Sequence, residues 1–283
     1  MSTKSTSSRR DFLGKIGRTG FAAWLGIDWL LANAEPLLPL PSATSKEIAP
    51  ASTKRGIVEL RLHSGHLEKM RVFYASTMGF ETDMAQGTLS VQAGGTLIEF
   101  KQAEAPLQSP GFPYYHVAWA IPENKFALAK AWLQERTQLL RHPDGRDEFD
   151  FRRVNRRGMY FADPAGNILE LIARHNLSDA TDGPFTLTDI LYVNHFGFVV
   201  DDVAKTIAQI RQSLHVEPKD EPYENFATLG DEHRHIVLVS RKRLWLPELV
   251  RPAEVFISEA VLHGTPEGFM NFDGYPYRIL LQA

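Results

Sequence analysis

The 283-residue sequence contains no cysteine. That removes disulfides, thiolate metal sites and cysteine nucleophiles together, and leaves His, Asp and Glu as the side chains able to hold a metal. Excess charge of one sign is lacking as well: 31 Lys and Arg stand against 34 Asp and Glu, a formal net charge of -3. Without a basic field there is nothing to hold a phosphate backbone, so the expected partner is a small molecule and not nucleic acid. Nor does the N-terminal region hold a membrane-length apolar run. Its most apolar stretch, residues 19–31, is interrupted by Asp28 and falls short of the roughly 20 residues a spanning helix needs. What is present, 43% hydrophobic and 23% charged residues, suffices to bury the core of one large domain or two.

Ser8-Arg9-Arg10-Asp11-Phe12-Leu13 resembles the twin-arginine export motif, in the arginine pair and in the apolar residues behind it. Ala32-Asn33-Ala34 then gives the small-x-small pattern that a signal peptidase accepts. Residues 1–34 are therefore expected to be a signal peptide removed after Ala34, which makes the export machinery a partner and the periplasm the destination. Residues 35–56, with Pro36, Pro39, Pro41 and Pro50, read as a linker. The twin-arginine route carries folded proteins, often with a cofactor in place, which favours a metal loaded before export.

One unit then recurs. In residues 57–80 an alternating strand (Val58, Leu60, Leu62) is followed by apolar residues at helical spacing (Leu67, Met70, Phe73, Tyr74), stopping near Gly79. A second strand at 115–120 is broken by Pro122 and followed by Phe126, Ala129 and Leu133 on one helical face. A third, 192–200, leads to Asp201 and Asp202, placed to cap a helix carrying Val203, Ile207, Ile210 and Leu214. Strand-like runs follow the helices: 88–93 and 96–101 around Gly94-Gly95, then 158–162 and 167–173 around Asp163-Pro164-Ala165-Gly166. The unit is strand-helix-strand-strand-strand, and each copy exposes an apolar face that another copy must cover.

The passage Phe73-Tyr74 through Met78-Gly79-Phe80, and above all residues 158–171, Gly-Met-Tyr-Phe-Ala-Asp-Pro-Ala-Gly-Asn-Ile-Leu-Glu-Leu, resemble the vicinal oxygen chelate superfamily of glyoxalases, bleomycin-resistance proteins and extradiol dioxygenases. The resemblance covers residues 57–175. It implies an α+β fold in which two paired βαβββ modules form an open cup with the active site inside. Residues 176–188 would be a linker, and residues 189–283 a third βαβββ-like module with no evident fourth. That module would cover the cup or lend its sheet to a second copy, giving a homodimer.

In metal-using members the ligands come from the first and last strands of each module. On this sequence those positions are Glu59, Glu99, His116 and Glu170. Independently of any family, a carboxylate flanked by apolar strand residues, as Glu99 and Glu170 are, is costly to bury unless paired or metal-bound. Three carboxylates and one imidazole suit Mn, Zn, Ni or Mg better than Fe, and the resemblance then implies a lyase or isomerase acting on a small carbonyl or enediol-type substrate, with Glu170 or Glu99 moving the proton. An extradiol dioxygenase would need a second histidine ligand, and His63 lies too far along its strand from Glu59 to serve. His195 matches His116 in position, but its partner strand 236–239 has no acid, so a structural role is expected. A metal-free sequestering protein is the remaining alternative. Arg61, His63, Trp119 and Arg157, the last from the run Arg152-Arg153-Val154-Asn155-Arg156-Arg157, are candidate substrate contacts.

Overall fold

The computed structural model describes residues 55–104, 111–241, 243–264 and 267–283. The twin-arginine motif, the cleavage position after Ala34 and the linker up to residue 54 lie outside the described residues.

The first module runs β1 (Ile57–Ser64), α1 (Leu67–Val72), β2 (Glu81–Ala85), β3 (Thr88–Ala93) and β4 (Thr96–Gln102). Helix α1 widens into a further turn over Phe73–Met78 and stops at Gly79, whose φ of 87° an L side chain would resist. Strand β4 returns parallel beside β1, with β3 and β2 antiparallel outside it. The second module repeats this order with β5 (His116–Ile121), α2 (Phe126–Gln134), β6 (Phe149–Phe151), β7 (Arg156–Ala162) and β8 (Ile168–Arg174). The turn between β7 and β8 is knotted around buried Asp163. Its carboxylate accepts from the backbone of Ala165 and Asn167 at 3.0 Å and from Tyr74 of the first module at 2.7 Å, so the family-like turn also ties the modules together.

The third module has β9 (Tyr192–Val200), α3 (Val203–Leu214), β10 (Phe226–Gly230) and β11 (His235–Ser240). Asp202 caps α3, accepting from the Lys205 N–H at 2.9 Å, and Val203, Ile207, Ile210 and Leu214 form the buried face anticipated from their spacing. Burying each such side chain contributes about 1.5–3 kcal/mol. A fourth module follows where none was expected. It comprises β12 (Ser258–His263), β13 (Gly268–Asn271) and β14 (Tyr277–Gln282), with β14 parallel to β12 and antiparallel to β13. Among the described residues this module has no counterpart of the helix that makes the others visible as a sequence period.

Pairing between modules also differs from the expectation. Strand β5 pairs antiparallel with β9, and β1 with β12, while β1 meets β9 only at Ile57 and Val193. The two modules of residues 57–175 therefore do not share a cup: the second pairs with the third, and the first with the fourth. Alternation assigns the two faces of a strand but is silent on which edge partner it takes, and that choice decided the outcome here. Strands β5, β8 and β9 are buried along their whole length, as central strands covered on both faces must be. One face packs on the main core, and the other, with Tyr160, Ile168, Val199, Val237 and Trp245, lines the second–third cup.

Candidate metal centre

Residue parity on β5 sets the site. His116 and Ala118 face the cup, whereas Val117, Trp119 and Ile121 point into the main core. Strand β8 brings Glu170 opposite Ala118, and β9 brings His195 opposite the same alanine from the other side. His116 Nε2, Glu170 Oε2 and His195 Nε2 consequently converge, with separations of 3.1 Å between the two imidazoles and 3.5 and 3.4 Å from them to the carboxylate. Among the described residues this is the one cluster of three His, Asp or Glu side chains placed to share a metal ion.

All three are buried, with Glu170 only 1% exposed. Neither Glu170 oxygen has a hydrogen-bond partner; the groups that face them are the two imidazoles and, at 3.9 Å, the Arg156 guanidinium. The imidazole tautomers are fixed from behind. His116 Nδ1 lies 3.1 Å from the Ile168 carbonyl and can only donate to it, which turns Nε2 toward the cup. His195 Nδ1 faces Asn194 Oδ1 at 3.4 Å; that oxygen also accepts from Arg174 Nε, while the Asn194 amide donates to the Glu232 and His233 carbonyls. The two Nε2 atoms and Glu170 Oε2 thus face one another across the floor of the cup. Ligand atoms about 2.1 Å from one ion lie about 3.0–3.4 Å apart at right-angled to tetrahedral geometry, close to the spacing seen. The residues fit a divalent cation.

The surroundings are cut to suit. A Cβ on Gly158 would run into the Glu170 carboxylate, and one on Gly197 would lie 2.7 Å from the Trp245 ring. Burial alone would raise the Glu170 pKa, but the His116 and His195 rings and the Arg156 guanidinium outweigh it and hold the carboxyl well below its usual range. Burial pushes His195 down to about 3 against the pull of Glu170, so the ring is neutral and free to coordinate. His235, in register with His195 on β11, is buried with both ring nitrogens unpartnered and is likewise held neutral by burial.

The residues proposed from sequence divide between two places. His116 and Glu170 are in this centre. Glu59 and Glu99 are not: they lie on β1 and β4 in the first–fourth pair, bound up with Arg61, which contacts Glu59, Glu99 and Glu259. His63, farther along β1, is also outside the second–third cup. Trp119 is fully buried against Phe80 and Phe161, on the core side of its strand. Arg157 is paired with Glu148 and stacked on Phe126; its neighbour Arg156 is the one that turns into the cup. His195 and His235 are not among the site residues proposed from sequence. The signal for His195 is its match to His116; its own module's partner strand offers no acid, and Glu170 reaches it from the neighbouring module.

A βαβββ module paired with a βαββ module into one cup defines a class: the chain has the α+β fold of the vicinal oxygen chelate proteins, with a His-Glu-His set able to bind a metal. No family model matches the sequence, and a search of curated proteins finds no match. Among solved structures, a candidate dioxygenase from Bacillus subtilis is similar at 16% identity and TM-score 0.52, over 80% of this chain and 85% of that one. Glyoxalase I from Zea mays is similar at 15% identity and TM-score 0.47, over 80% of this chain and 92% of its own.

Proposed function

We propose that this protein is a non-haem, Fe(II)-dependent oxygenase acting on a ring-shaped vicinal diol. The observation that supports this reading is the convergence of His116, Glu170 and His195. Two imidazoles and one carboxylate on one side of an ion, with the remaining positions open, are the ligand set of Fe(II) oxygenases. The lyase or isomerase reading rested on one histidine and a second carboxylate. The second–third cup supplies the reverse, two histidines and one carboxylate, and the position on β11 that corresponds to Glu170 is Val237. Sequestration without a metal gives no reason for two imidazoles and a carboxylate to be gathered within reach of one ion. The similarity to a candidate dioxygenase agrees with this reading but speaks to the fold.

In this reading His116, His195 and Glu170 would hold the ion, which when bound would supply diol chelation and dioxygen activation. The protein's own contribution is positional. Trp245 and Tyr160 pack beside His116, with ring centroids at 5.3 and 6.1 Å, and keep water from that side of the ligand set. Neutral His235, with unpartnered ring nitrogens, can accept a hydrogen bond from a substrate hydroxyl. We also infer export to the periplasm by the twin-arginine route, from residues 8–13 and 32–34; replacing Arg9 and Arg10 with Lys should retain the protein in the cytoplasm.

The test is anaerobic loading with Fe(II), metal analysis, and oxygen uptake with a panel of catechols. About one Fe(II) per chain and diol-dependent oxygen uptake are expected. A protein that binds no metal, or that binds it and converts carbonyl substrates without oxygen, overturns the proposal.

A further inference from the structure

The second–third cup is a cavity of about 680 Å³ that holds the His-Glu-His set on its floor. Its walls include Phe151, Tyr160, Phe226 and Trp245, flat surfaces that suit a planar ring. Its cations can be taken in turn. Arg174 and Lys219 are bound to Glu232, at 3.1 and 2.8 Å, and Arg152 to Asp150 at 2.9 Å. Exposed Arg153 rests on Tyr223 at the mouth. Arg156 lies against Phe151 with Nη1 3.9 Å from Glu170 Oε1, so its charge acts on the ligand set.

Arg243 is different. It is half-buried, its guanidinium sits 4.5 Å over the Phe226 ring, and no carboxylate of the described residues pairs with it. Asp220 and Glu221 also line the cavity, yet neither forms an ion pair with Arg243. Burial accordingly lowers its pKa. A desolvated guanidinium without a counter-ion, in a pocket built for a flat ligand, is a site short of one anion.

We infer that the substrate is an aromatic vicinal diol bearing a carboxylate, and that Arg243 holds that carboxylate while the diol faces the His-Glu-His set. The inference rests on the diol-oxygenase reading above. A guanidinium presents paired N–H donors that match a carboxylate, and a ring stacked among Phe226, Tyr160 and Trp245 fixes the distance between the two ends. Arg243 is thus a specificity-determining residue rather than a metal-site residue.

The experiment is anaerobic calorimetric binding to the Fe(II)-loaded protein of protocatechuate, its neutral amide and catechol, for wild type, Arg243→Met and Arg243→Lys. In wild type the acid should bind roughly 10- to 100-fold more tightly than the amide, as a charge-assisted pair in a desolvated site does. In Arg243→Met that ratio should collapse to about one, and Arg243→Lys should recover part of it. Equal binding of acid and amide to wild type, or a preference that survives in Arg243→Met, overturns the inference and leaves the diol reading standing. If none of the three ligands binds the loaded protein, the diol reading fails and takes this inference with it. Should Arg243→Met not fold, the wild-type comparison of acid with amide still decides.

Discussion

The two cups of this chain are built on the same register and filled in opposite ways. In the second–third cup Ala118 is the strand partner of both Glu170 and His195, and His116 lies two residues before it. In the first–fourth cup Arg61 is the partner of both Glu99 and Glu259, and Glu59 lies two residues before it. His235 opposite His195 is matched by Arg278 opposite Glu259. Position for position, the ligand set His116, Glu170 and His195 becomes Glu59, Glu99 and Glu259, and the methyl of Ala118 becomes a guanidinium. Arg61 contacts all three carboxylates and places a covalently attached cation where the other cup has room for an ion. The glycines follow the same division: Gly158 and Gly197 hollow the second–third cup, where the other has Thr88 and Val261. One architecture therefore yields an open centre or a closed one according to the size and charge of a few side chains.

The largest test of this contrast removes a ligand from one cup and its counterpart from the other. His195→Ala should weaken Fe(II) binding by more than about 100-fold, since even the groups supporting a ligand are worth roughly 10- to 100-fold. Glu59→Gln and Glu99→Gln should leave the affinity where it is, as both lie in the other cup. Metal titration followed by calorimetry reads all three. A chain whose metal binding depends on Glu99 and survives the loss of His195 would refute the assignment of the cups. Loading should also protect the fold: at a free metal concentration about 100 times Kd the gain is about 2.7 kcal/mol, seen as a rise in Tm that chelator reverses and that His195→Ala abolishes.

Much of this was legible in the sequence, and the reasons for the rest are physical. The βαβββ order followed from alternation and helical spacing, the candidacy of Glu170 also from an acid flanked by apolar residues, and the candidacy of His116 from the family resemblance alone. The partnership of modules did not. Glu99 and Glu170 occupy equivalent places in their modules, and nothing in either strand says which edge β5 will join. Choosing the adjacent module put Glu99 beside His116 and left His195 alone, whereas the β5–β9 pairing puts His195 there and sends Glu99 to Arg61. The fourth module escaped notice because it has no amphipathic helix to carry a period, only short strands. Arg61 itself held a clue: an arginine at the position of Ala118 is incompatible with a metal ion at the same point.

A smaller effect is expected from the space around the ligands. Gly158→Ala would place a methyl against the Glu170 carboxylate, which must turn aside, and the comparison predicts a loss of metal affinity of roughly tenfold, the size of a disturbed supporting contact. Thr88 holds the corresponding place on β3, in the cup that Arg61 fills. Thr88→Ala should therefore leave metal binding unaltered. If Gly158→Ala binds metal as wild type does, the hollow at Gly158 is not what admits the ion.

The smallest expected effect comes from opening the closed cup. Arg61→Ala removes the guanidinium from among Glu59, Glu99 and Glu259 and leaves three carboxylates facing one another. The Arg61 side chain is 48% exposed, so its ion pairs are screened, and the loss of stability should be about 1 kcal/mol or less. The more telling result is what reverses it. Three oxygen donors suit a hard cation, so Mn or Mg added at millimolar levels should restore the lost Tm in Arg61→Ala while doing little at this cup in wild type, where Arg61 already supplies the charge. Because the second–third cup is proposed to take up metal as well, the measurement is made in the His195→Ala background, which isolates the response of the first–fourth cup. Recovery there would show that the two cups differ by the occupant of one position. A variant that stays equally destabilised with and without cation would show that Glu59, Glu99 and Glu259 are too open to gather an ion, and that closure by Arg61 is only part of the difference.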